Sequence, residues 1–98
     1  MKNSELTGSD AEHPATGTVV IEGNQITLNN VNITEAPDAR VILTKDHDEP
    51  SGVRIGPLQG FTGTHTYEIP AEVNPDDYDS ITIWCDQFSV PIGLAKFE

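Results

Sequence analysis

The chain is poor in most of the residues that mark a metal, a cofactor or a nucleic-acid partner. It has one cysteine, Cys85, so no disulfide can close within it. Its one methionine is Met1, which leaves no methionine inside a fold to ligate a haem. Lysine and arginine number 5 against 16 aspartates and glutamates, for a formal charge of -11. Such a surface repels phosphate backbones and anionic membranes, and so argues against nucleic acid and lipid partners. No run approaches the roughly 18 apolar residues of a membrane-spanning helix. The opening Met1-Lys2-Asn3-Ser4-Glu5 lacks the apolar stretch of a secretion signal, which leaves two expectations, a cytoplasmic protein or a domain whose export signal lies outside this sequence. A helical period of useful length is also missing.

What remains is a β pattern. Ninety-eight residues, 36% of them hydrophobic, suffice for one core and one domain. Residues 1–16 are polar, with no apolar period, and predict a flexible tether, of which residues 1–14 could be removed with little cost in stability. From Gly17 to residue 98 short β-branched runs alternate with turn residues. Thr18-Val19-Val20-Ile21 and Ile26-Thr27-Leu28 flank Glu22-Gly23-Asn24, the pattern of a hairpin. Further runs fall at Val41-Ile42-Leu43, Val53-Arg54-Ile55, Thr64 to Ile69, Ser80 to Cys85 and Phe88 to Phe97. Polar loops from Asp46 to Gly52 and from Pro70 to Asp79 separate them. The expectation is an all-β domain, an antiparallel sandwich or barrel-like sandwich of about seven to nine short strands. In Ile81-Thr82-Ile83-Trp84-Cys85, period two puts Ile81, Ile83 and Cys85 on one face and Thr82 and Trp84 on the other. A strand apolar on both faces is expected at the centre of a sheet.

Several blocks carry a resemblance that is specific in order and spacing. They are Gly17-Thr18-Val19, Ile26-Thr27-Leu28 with Val31, Pro37-Asp38-Ala39-Arg40-Val41-Ile42-Leu43 and Ile55-Gly56-Pro57-Leu58-Gln59-Gly60. Gly63-Thr64-His65-Thr66-Tyr67-Glu68-Ile69-Pro70 follows, then Tyr78 through Cys85, and last Phe88-Ser89-Val90-Pro91-Ile92-Gly93-Leu94-Ala95. Together these resemble the DM13 domain family, from about Gly17 to Phe97. The resemblance implies a β-rich domain of extracytoplasmic proteins, secreted, periplasmic or cell-surface anchored, often found beside redox domains. It also implies electron transfer through the shared cysteine, here Cys85, as a bare thiol or by holding a prosthetic group such as haem, with Trp84 as its neighbour in the site. The partner would be a redox protein or another extracellular protein.

The residues themselves leave alternatives open. Cys85 reads equally as a small buried hydrophobe beside Ile81 and Ile83. Asp86 and the acidic balance offer nothing to stabilise a thiolate. Haem has no Cys-x-x-Cys-His attachment motif, though His47 or His65 could supply a second ligand. One cysteine and three scattered histidines make no zinc pair, and no metal site is expected. Asp46-His47-Asp48-Glu49 and Asn74-Pro75-Asp76-Asp77-Tyr78-Asp79 lack the calcium-loop spacing and read as solvated turns. Ser89 has no nucleophile context, and Gly56, Gly60 and Gly63 lack the lysine of a phosphate loop. Asn32-Ile33-Thr34 fits a glycosylation sequon. Trp84 and Tyr67 read as core aromatics. No set of residues points to an enzyme. Two functions are therefore expected: a redox or electron-transfer module using Cys85, or a binding or adhesion sandwich in which Cys85 is packed.

Overall fold

The computed structural model describes residues 2–9 and 13–97. Among the described residues, nine strands form two antiparallel sheets. In chain order they are β1 (Lys2–Glu5), β2 (Thr7–Gly8), β3 (Ala15–Glu22), β4 (Gln25–Ile33), β5 (Ala39–Thr44), β6 (Val53–Pro57), β7 (Thr62–Glu68), β8 (Ser80–Cys85) and β9 (Val90–Lys96). One sheet runs β1-β3-β4-β7 and the other β2-β9-β8-β5-β6. The helical elements among the described residues are single 3-10 turns, Glu49–Ser51 and Pro75–Asp77, in the two polar loops. This is the expected all-β sandwich, with β8 central in its sheet as its two-sided pattern requires.

Alternation builds the core. Val19 and Ile21 of β3 and Ile26, Leu28, Val31 and Ile33 of β4 turn inward from one sheet. Val41 and Leu43 of β5, Ile81, Ile83 and Cys85 of β8, and Ile92 and Ala95 of β9 face them from the other. Each full burial of such a side chain contributes on the order of 1.5–3 kcal/mol. The β3–β4 hairpin closes through Gly23-Asn24, with Glu22 opposite Gln25. Gly23 takes a left-handed φ of +59°, which a residue without Cβ adopts at no steric cost.

Residues 2–8 are paired in the sheets where a tether was expected over residues 1–16, of which residues 1 and 10–12 lie outside those described. Lys2–Glu5 pairs with β3, from Lys2 opposite Ile21 to Glu5 opposite Thr18. The chain then crosses to the other sheet, where Thr7 and Gly8 pair with Leu94 and Gly93 of β9. Leu6 stands at the crossing, 3% exposed, and its N–H donates to the carbonyl of Gly17 at 2.9 Å. The segment is therefore a clip holding both sheets. Its polar composition misled because an edge strand gains backbone hydrogen bonds without needing an apolar stripe. Ala15 and Thr16, also placed in the tether, belong to β3.

Candidate functional site

The site is built around the end of β8. The strand alternates Ile81, Ile83 and Cys85 inward against Ser80, Thr82 and Trp84 outward. Cys85 lies opposite Ala39 of β5 and Val90 of β9, so strands flank it on both sides. It has no exposed surface. Its Sγ–H donates to the carbonyl oxygen of Pro37 at 3.1 Å. Pro37 lies in the link that carries the chain from β4 in one sheet to β5 in the other. The next residue, Asp38, holds a left-handed φ of +51° and accepts the N–H of Asp86 at 3.1 Å. The link before β5 and the end of β8 are thus joined twice in succession, by the thiol of Cys85 and by the N–H of Asp86.

Asp86 does not stand as an isolated negative charge beside the thiol. Arg40 Nε donates to its Oδ2 at 3.2 Å, and Arg54 Nη1 donates to the same oxygen at 2.9 Å. Arg54 also donates through Nη2 to Glu49 at 2.6 Å. Its guanidinium is held more firmly protonated than usual, chiefly by the hydrogen bond to Asp86. Sequence reading counted Asp86 against a thiolate. The fold neutralises it with arginines from β5 and β6, which no local spacing could announce.

Trp84 lies on the opposite side of β8 from Cys85, half-buried, across from Arg40 and Pro91. The two residues are neighbours in sequence, yet their side chains cannot line one pocket. The turn after Cys85 carries Phe88, 63% exposed, and Val90 follows at 37%. A shallow depression lined by Glu35, Ala36, Pro37 and Phe61 lies over the link that bonds the sulfur.

These positions test the haem expectation. A thiolate ligand needs an open face beside the sulfur, and Cys85 has none. Trp84 faces away, and His47 lies over the same outward face as Thr82, to whose Oγ1 its Nδ1 approaches within 2.9 Å. His65 is on the other sheet, with Nε2 2.8 Å from the carbonyl of Thr62. The residues present do not fit a haem held by Cys85. Among the described residues no three histidine, cysteine or acidic groups come together to hold a metal ion.

The remaining sequence candidates have structural partners. Asp46 pairs with Lys96 at 3.0 Å, Asp48 accepts from Ser51 at 2.6 Å, and Asp76 pairs with Lys2 at 3.3 Å. Asn74 caps the 3-10 turn by accepting the N–H of Asp76 at 3.0 Å. Tyr67 is a core aromatic whose hydroxyl accepts the N–H of Gln59 at 2.9 Å. Asn32 is exposed on β4, opposite Thr62. Sequence reading missed the Pro37 carbonyl, the paired arginines, and a buried hydroxyl group formed by Thr44, Ser80 and Thr82. The last had a visible signal: polar residues alternating through a strand already judged to be covered on both sides.

The match to the model of the family described as electron transfer DM13 spans residues 7–97. No curated protein and no solved structure matches the chain. The chain belongs to the DM13 family, an electron-transfer domain.

Proposed function

We propose that this domain is a redox module that works outside the cytoplasm and uses Cys85 as its redox group, without catalysing a reaction of its own. The observation that carries the reading is family membership over nearly the whole chain, joined to the place of the chain's one cysteine. Cys85 lies at the last position of a central strand, directly before an exposed turn bearing Phe88. A sulfur so placed is shielded from solvent while remaining near the surface. A mixed disulfide needs access that a buried sulfur lacks, so the step open to Cys85 is one-electron oxidation by the redox partner, in which the thiol gives its electron to the partner, releases the S–H proton to solvent and becomes a thiyl radical that the reverse transfer restores. The partner is a separate redox protein or another extracellular protein, and the acidic surface favours one that is positively charged.

Full burial and the hydrogen bond to Pro37 favour a second reading, in which Cys85 is a packed core residue of a binding or adhesion domain. Protein-film voltammetry on wild type and Cys85→Ser separates the two. The redox reading expects a reversible wave in wild type that is lost in the variant, with circular dichroism unchanged. Absence of any reversible wave from wild type leaves the packing role.

A further inference from the structure

We infer that the end of the sandwich over Cys85 is a docking face for a positively charged electron carrier, with Phe88 as its anchor. The nature of the partner rests on the redox reading, while the face itself rests on geometry and charge.

Two large hydrophobic side chains are exposed among the described residues, Phe88 at 63% and Val90 at 37%. They are not scattered, as single surface hydrophobes ordinarily are. Phe88 stands in the turn that begins directly after Cys85, and Val90 opens β9 at the end of that turn. The link from β4 to β5 lies beside it, since the N–H of Asp86 donates to the carbonyl of Asp38 at 3.1 Å. That link adds the exposed Pro37 and the half-buried Ala36, which line a shallow depression with Phe61. Apolar surface is thus gathered at one end of the sandwich, with an aromatic ring standing out from it. Such rings are the usual anchors of protein interfaces, because they bury a large area while ordering few torsions.

The turn presents Phe88 in a fixed form. Arg40 and Arg54 both hold the carboxylate of Asp86, and Ser89 keeps a left-handed φ of +54°. Asp38, which accepts the Asp86 N–H, is left-handed as well. Residues other than glycine keep such values where their surroundings fix them. A surface ordered before contact loses less conformational freedom on binding.

Charge selects the occupant. Lys2 lies opposite Ile21, Lys96 lies opposite Ser80, and Lys45 follows Thr44, so all three lysines stand toward the other end of the sandwich. The arginines near Cys85 are already engaged: both bind Asp86, and Arg54 also binds Glu49. Glu35 and Asp38 on the link are exposed, and Arg40 approaches Asp38 only to 3.9 Å. The rim of the apolar patch is therefore negative. A second copy of this chain would bring its own formal charge of -11 and be repelled. A carrier whose own apolar patch is ringed by lysines is attracted and fits. Seated here it meets Pro37, whose carbonyl lies 3.1 Å from Sγ of Cys85.

The test is NMR titration of the isotope-labelled domain with a small basic c-type cytochrome at low ionic strength. Amide shifts are expected in the 35–38 and 86–90 segments, and they should fade as salt is added. Phe88→Ser should weaken the complex on the order of tenfold or more, with an unchanged circular dichroism spectrum because the ring is exposed. Glu35→Gln should weaken it less, mainly by slowing association. Asp77→Asn, in the loop at the other end, should leave binding unchanged. Failure of the cytochrome to bind, shifts centred on the 74–79 loop, or equal affinity in Phe88→Ser overturns the docking face. Sedimentation of the domain alone is the second measurement. A dimer that Phe88→Ser dissolves gives the face to a second copy and also overturns the proposal. Binding is read without any electron passing, so Cys85→Ser should bind as wild type does, and the voltammetric wave separately decides the redox reading.

Discussion

The S–H of Cys85 points at the carbonyl oxygen of Pro37, 3.1 Å away and 48 residues earlier in the chain. This bond joins the end of a central strand to the link between the two sheets, and it occupies the hydrogen of the one thiol in the protein. Whatever Cys85 does, it does from inside the wall of the sandwich.

Iodoacetamide therefore modifies native Cys85 slowly and the denatured chain rapidly, because the reagent reaches the sulfur only when strands part. Alkylation followed by mass spectrometry across a urea series should track unfolding. Native labelling as fast as denatured labelling sinks the buried placement. Cys85→Ser can keep the bond to Pro37 and is expected to fold. Cys85→Ala loses both bond and volume, at a cost of roughly 1–2 kcal/mol.

Deleting residues 1–8 removes β1, Leu6 and β2 together. The burial of Leu6 alone contributes about 1.5–3 kcal/mol, and the edge pairing adds to it. Urea denaturation should show a loss of that order with a retained β spectrum. An unchanged midpoint would make the segment the tether that its composition suggests.

Asp86→Ala leaves Arg40 and Arg54 facing each other without their shared carboxylate. All three side chains are about a third to a half exposed, so solvent screens them and the expected cost is only about 1 kcal/mol. The informative measurement is salt dependence. The destabilisation should shrink in high salt, which weakens the repulsion between the arginines. A salt-independent loss would point to packing instead.

Stability should fall on mild acidification through His47. Its folded value lies below the unfolded one, so the unfolded chain binds the proton first. The contribution is complete above the ordinary histidine range and is lost as pH falls through the folded value. Asp79 adds a second, more acidic window. The N–H of Asp46 holds its carboxyl below the usual range, so its contribution is lost only as pH falls through that lowered value. Thermal melts of wild type and His47→Asn should converge at low pH, after the histidine window is passed. Melting curves with a constant offset at every pH would contradict this.

Legibility followed distance along the chain. The Gly23-Asn24 hairpin, the inward face of Ile81, Ile83 and Cys85, and the central place of β8 were all readable, because a strand's side chains alternate with a period of two whatever they meet. The family blocks were readable for the same local reason, and they point to Cys85 as the residue of interest. The tether failed at Leu6, whose significance lies in a crossing between sheets and not in any neighbouring pattern.

By itself the sequence determined the β class and the parity that turns Cys85 inward and Trp84 outward, since these follow from composition and from strand geometry. Only the tertiary structure decided that Pro37 meets the sulfur, that Arg40 and Arg54 share Asp86, and that His47 closes over Thr82. Each of those joins segments more than 30 residues apart. Their pairing is set by which strands lie side by side and in what register, a choice made by burial of the whole core at once.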